Sequence, residues 1–242
     1  MPEASQIILI FIITALGGFI QRVTGFGFGI FVMLFFPYII KVHTSAVAVS
    51  TLVSCIMSLY NAVLHRKYIP YKKIIPLVLS ALVTIPAAVC FSVTITADVF
   101  RRILGIVLIL LSICFLFFNN RIKMKPSVKN GIIAGGMSGI LTGLFSTGGP
   151  PVVLYLMNAL SDNAVYFAST QFYFGITGVY STAVRFFGGT VTFEVIVYSL
   201  VGFFGALIGN LAGKYVFDKL DAEKLRIIIY IGMIISGIIM VF

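Results

Sequence analysis

The chain has 242 residues, of which 60% are hydrophobic and 10% charged, with a net charge of +10. Several apolar stretches reach the roughly 18 residues needed to cross about 30 Å of hydrocarbon, so the composition is that of an all-α polytopic membrane protein, with no length left for a soluble domain of ordinary size. Most of the positive charge falls in connections between spans, where it sets orientation, so nucleic acid is not read as the partner.

The first apolar segment covers residues 5–40 and follows "MPEASQ", which has no basic region and reads as the mature start. A continuous helix over those residues would be about 54 Å long, nearly twice the hydrocarbon thickness. It is interrupted by "TGFGFG", Thr24 to Gly29. The second segment, 44–64, carries Ser50, Thr51, Ser54 and Asn61; the third and fourth cover 74–93 and 99–118. A basic linker, 119–130, follows. The fifth segment, 130–160, is again too long for one span and is interrupted by "STGGPP", Ser146 to Pro151. Segment six, 164–184, carries Ser169, Thr170, Gln171 and Tyr173, and 192–213 and 225–242 complete the chain.

The order of segments repeats. An offset of 119 lays Gly29 on Gly148, Ser50 on Ser169 and Thr51 on Thr170, and an offset of 125 lays "ADVFR" on "AEKLR". The chain therefore divides into a first repeat (1–118), a basic cytoplasmic linker (119–130) and a second repeat (131–242). Each repeat is a broken or re-entrant first helix pair plus three spanning helices. The linker, the loop 65–73 and the loop 214–226 each carry four Lys or Arg. Placing all three in the cytoplasm requires the halves to be inverted, with both termini outside; parallel halves give a weaker asymmetry.

A break at membrane depth is tolerated only where protein buries it or where it lines a cavity. Glycines let backbone approach a ligand, and the helix starting after a break directs free N–H groups and partial positive charge at it, which favours an anion. Two breaks related by pseudo-symmetry would face one central site. The candidate substrate-binding residues are therefore Thr24, Gly25, Phe26, Gly27, Phe28 and Gly29 at the first break, and Ser146, Thr147, Gly148, Gly149 and Pro150 at the second. Ser146 or Thr147 is expected to cap the helix that follows. Ser50, Thr51, Ser169, Thr170, Gln171 and Tyr173 join them from the second and sixth segments; the competing reading for these hydroxyls is a bond to their own helix backbone. Gly135, Gly139 and Gly143, and Gly205, Gly209 and Gly213, read as helix-packing seams.

Other chemistry is not visible. The seven acidic residues fall at or near segment ends, as do His43 and His65, so no metal site, cofactor site or catalytic constellation is expected. Cys55, Cys90 and Cys114 lie in apolar segments without CxxC spacing and read as small core residues. Arg22, just ahead of the first break, either attracts an anion or reaches to an interface.

The runs "QRVTGFGFGIFVMLFFP" with "HTSAVAVSTLVS", and "GLFSTGGPPVVLYL" with "FASTQFYF", resemble the TauE/SafE family of membrane transporters across essentially the whole chain. The resemblance implies secondary transport of a small sulfur-containing anion such as sulfite, a sulfonate or a sulfocarboxylate. It departs from the many members that look like GxGGG at the first break, with Phe28 where another glycine falls, and Phe26 and Phe28 imply a bulkier or more apolar anion. The expected function is alternating-access transport in the cell membrane of a bacterium. An anion channel is the nearest alternative and a membrane-embedded enzyme a remoter one. The expected partners are a small anionic substrate and the bilayer; a coupling proton or sodium ion and a homo-oligomer are both compatible with this reading.

Overall fold

The computed structural model describes residues 3–118, 126–216 and 222–242. Within them the chain is helical, with no strand: α1 (Ala4–Thr24), α2 (Phe28–Met33), α3 (Phe36–Ile39), α4 (His43–Leu64), α5 (Tyr71–Thr94), α6 (Ala97–Phe118), α7 (Val128–Phe145), α8 (Gly149–Ala159), α9 (Asn163–Phe187), α10 (Phe193–Val216) and α11 (Ala222–Val241). Among the described residues five helices, α1, α4, α5, α6 and α10, are long and apolar enough to cross a membrane. Most of the linker and residues 217–221, with Asp218 and Asp221, lie outside the described residues, as does the side chain of Glu223.

Local chemistry sets the ends. Asp162 caps α9 by accepting from the Val165 N–H at 2.8 Å, and Ser127 caps α7 by accepting from the Asn130 N–H at 3.2 Å. The first long segment is interrupted twice, at the glycines and again between Met33 and Phe36. Pro37 sits in the first turn of α3, where its missing N–H costs nothing, so a new helix starts there and the old one stops. The outward faces are apolar, with Val83 77% and Leu79 58% exposed on α5. Such faces suit lipid, not water. Cys90 is exposed and Cys114 half-buried, which corrects the expectation that all three cysteines are core residues; only Cys55 is buried. α9 is the polar exception. Its Ser169, Thr170, Gln171, Thr177, Ser181 and Arg185 are buried, because other helices and not lipid surround that face.

Four helix pairs carry most of the packing: α1 with α10, α5 with α7, α4 with α9, and α6 with α11. Their directions follow from the residues in contact. Gly205 packs on Phe11 and Gly209 on Ala15, so α1 and α10 run the same way; Gly135 on Leu77 and Gly139 on Ala81 make α5 and α7 run the same way. Gly178 packs on Cys55 and Gly175 on Leu59, so α4 and α9 run in opposite directions, and Gly105 on Met240 with Gly237 on Ile109 gives the same for α6 and α11.

The α1–α10 seam leaves no space for a side chain. A Cβ on Gly209 would overlap the Ala15 carbonyl oxygen. Gly209→Ala is therefore expected to destabilise by about 1–3 kcal/mol through overpacking, read as a lower melting temperature in detergent. An unchanged melting temperature would mean that the seam yields freely.

Candidate functional site

Both breaks begin with a left-handed residue that closes the helix before it. α1 closes on Gly25 (φ +81°) and α2 opens after Gly27 (φ +94°), both left-handed. α7 closes on Ser146, also left-handed at φ +59°, and α8 opens after Gly148. No side chain caps α8, so the expected Ser146 or Thr147 cap is not formed: Ser146 ends the preceding helix instead. Among the described residues Ser146 is the one non-glycine with positive φ. That conformation costs an L-residue about 1–2 kcal/mol, a strain that tends to collect at functional sites.

The breaks touch each other. A Cβ on Gly29 would overlap the Ser146 carbonyl oxygen, and one on Gly149 would lie 3.4 Å from the Phe26 ring. Between them is a cavity of about 40 Å³, walled by Phe26, Gly27, Phe28 and Gly29 from the first break and by Ser146, Thr147, Gly148 and Gly149 from the second. At about 10–15 Å³ per water it holds roughly three or four waters or one small anion. Phe26 and Phe28 narrow it and add no room for bulk. Phe26 is backed by Phe115, with ring centroids 6.1 Å apart, while a Cβ on Gly17 would lie 3.0 Å from the Phe28 ring.

Polar groups reach the cavity from four helices: Gln21 of α1, Thr51, Ser54 and Cys55 of α4, Thr142 of α7 and Thr177 of α9. Among the described residues no charged one lines it. The Thr147 hydroxyl and the Gln21 Oε1 are buried with no hydrogen-bond partner among the described residues; the hydroxyl can donate to an occupant, whereas the amide oxygen can only accept, since Gln21 Nε2 already donates to Ser58 and Gln171.

The remaining candidates serve this cavity indirectly or not at all. Ser50 donates to the Ser146 hydroxyl at 3.1 Å. Gln171 donates to the Gly25 carbonyl at 2.8 Å and accepts from Gln21 Nε2 at 3.1 Å, which ties α9 to the first break. Thr24 bonds the carbonyls of Ile20 and Phe26 around the turn. Ser169 bonds the carbonyl of Val165 at 2.6 Å and Thr170 that of Phe167 at 2.8 Å, as hydroxyls in membrane helices often do. Tyr173 is buried in a separate core cluster of α5, α7, α8 and α9, and Pro150 is buried in the first turn of α8. Arg22 does not reach the cavity. Half-buried over the Phe167 ring at 5.0 Å, it lines a different pocket with Asn61, His65 and Lys214.

Gln21, Cys55, Thr142, Phe174, Thr177 and Gly178 line the cavity but were not among the sequence candidates. Helical spacing offered a signal for two of them: Thr177 stands seven residues past Thr170, and Gln21 four before Gly25.

The family model for the sulfite exporter TauE/SafE matches residues 10–240. The chain belongs to the TauE/SafE family. No curated protein and no solved structure matches it. Membership makes the protein a membrane transporter of the sulfite-exporter type, and the two TauE/SafE-like motifs are the segments that wall the cavity.

Ser146 separates strain from function. Ser146→Gly removes the left-handed penalty and also the partner of the Ser50 hydroxyl, so the two effects offset and stability should change by less than about 1 kcal/mol. It also deletes a hydroxyl from the cavity wall, so transport should weaken although the fold is kept. Equal or better transport would assign Ser146 a purely structural place.

Proposed function

We propose that this TauE/SafE protein is a secondary carrier that moves a small sulfur-containing anion across the cell membrane by alternating access. The observation that carries the reading is the cavity between the two touching breaks. It is small, rich in hydroxyls, free of carboxylates, and faced by the start of α8. The unpartnered Thr147 hydroxyl and the partial positive charge at the start of α8 suit an oxoanion of sulfite size. The binding set is Phe26 to Gly29, Thr51 and Ser146 to Gly149, with Thr177 added and Gln21, Ser50 and Gln171 in support.

The carrier reading includes two inverted repeats, 1–118 and 131–242. Its support is directional: α4 and α9 hold matching places in the two repeats yet run in opposite directions, and so do α6 and α11. Repeats of like topology would set such partners parallel. Residues Arg66, Lys67, Lys72 and Lys73 then lie in the cytoplasm and Arg185 toward the outside. Inverted repeats around a midplane site are the arrangement in which one half rocks against the other. A channel would share the cavity without obligate closure.

Uptake into proteoliposomes tests this, using sulfite, methanesulfonate, sulfoacetate and acetate with imposed proton and sodium gradients. Saturable uptake of the sulfur anions is expected. No saturable uptake of any of them would overturn the proposal.

A further inference from the structure

The face of α9 that walls the cavity continues past it. Thr177 and Gly178 line the cavity, and Ser181 and Arg185 follow at four-residue steps from Thr177, on the same face. Arg185 lies about 12 Å further along the helix than Thr177. It is fully buried. Its Nη2 donates to the carbonyl of Gly143, the residue next to the cavity-lining Thr142. Its Nε and Nη1 have no partner, the Ser181 hydroxyl has none, and no carboxylate pairs with the guanidinium among the described residues.

An arginine retains its charge, so a buried guanidinium with two unused donors is a costly arrangement until an anion completes it. α4 carries a comparable polar line in the opposite direction. Ser54 lines the cavity, Ser58 accepts from Gln21 at 3.0 Å, and Asn61 faces a pocket of about 260 Å³ with Arg22, His65 and Lys214. That line ends in an open pocket, whereas the α9 line ends in the sealed Arg185.

We infer that Arg185 and Ser181 form a second anion site, on the path from the cavity to the outer end of α9, which takes a small oxoanion through the free Nε and Nη1 donors. Parallel N–H groups of a guanidinium match two oxygens of a sulfite or sulfonate group. The inference rests on the carrier reading. It gives the path a charged station that the cavity itself lacks, occupied when the outer half opens.

The test uses the full-length protein, with two readouts: the sulfite-dependent shift in melting temperature in detergent, and the KM for sulfite in proteoliposomes. Arg185→Met removes the charge at similar volume, so the anion-free protein should be as stable as wild type or more so. Its KM and the sulfite concentration for half-maximal shift should both rise about tenfold or more. Arg185→Lys should fall between, and Ser181→Ala should raise KM severalfold. Wild-type KM and wild-type shift in Arg185→Met would overturn the site. So would an Arg185→Met protein that unfolds while Ser181→Ala keeps the wild-type KM, since Arg185 would then be a tie between α9 and α7. Wild-type protein stabilised by sulfite in an Arg185-dependent way, yet taking none up, would remove the carrier reading and leave the site; no stabilisation of wild type by sulfite, sulfate or methanesulfonate would remove the site.

Discussion

Thr51→Asp is expected to raise the KM for sulfite about a hundredfold, while Thr51→Asn, of nearly the same shape, stays within a few-fold of wild type. Thr51 lines the cavity, and its hydroxyl bonds the Val47 carbonyl at 2.8 Å. Asparagine and aspartate both give up that local bond, so the difference between them isolates charge. A carboxylate roughly 5 Å from a bound anion, at an effective dielectric of about 20, repels it by about 3 kcal/mol, or about two powers of ten in affinity. Equal KM values for the two variants would remove the anion from this cavity. Ser169 is no substitute for this experiment, because its hydroxyl is turned to the Val165 carbonyl and an acid there would test folding.

Gly149→Leu should reduce uptake to the background of empty liposomes in a protein that still inserts and stays monodisperse. The neighbours of a Cβ at Gly149 are the rings of Phe26 (3.4 Å) and Phe174 (3.7 Å), both in the cavity wall at ordinary contact distance. A longer side chain therefore grows into about 40 Å³ of space that the ligand needs. Helix propensity alone predicts a gain, since glycine is the poorer helix former by about 1 kcal/mol. Wild-type uptake by Gly149→Leu would make the break a packing device. Gly148 reports on something else. Its Cβ would overlap the Thr142 hydroxyl and lie 2.5 Å from the Ser138 carbonyl, so alanine there strains the α7–α8 turn before it meets any ligand.

Hydropathy sufficed for the segments because a membrane span must be both long and apolar, and each expected segment edge lies within a few residues of a helix end. The two glycine breaks were legible for the same reason: a segment roughly one and a half to two times the membrane thickness has to turn. The second interruption before Pro37 was not, since Leu34 and Phe35 are as apolar as the helices around them. Within the site, glycine and proline marked the walls. Hydroxyls were harder to place, because Thr51 and Thr170 look alike in sequence and both bond their own helix, yet only Thr51 lines the cavity. The place of Gln21 in the cavity wall and the burial of Arg185 were not legible, for opposite reasons. Gln21 sits in the helix before the break, where its link to Ser58 and Gln171 depends on tertiary packing. Arg185, near a segment end, resembled an ordinary interfacial charge; its complete burial arises from helices that pack around it.

Counterflow tests the central claim most directly. Proteoliposomes are loaded with unlabelled sulfite and diluted into a trace of radiolabelled sulfite, with no net gradient of protons or sodium. A carrier that exposes one anion site alternately to each side exchanges label for cargo, so label should accumulate transiently above its equilibrium level, and Thr51→Asp should abolish the overshoot. Label that rises only to equilibrium, at a rate indifferent to the sulfite loaded inside, would contradict the account.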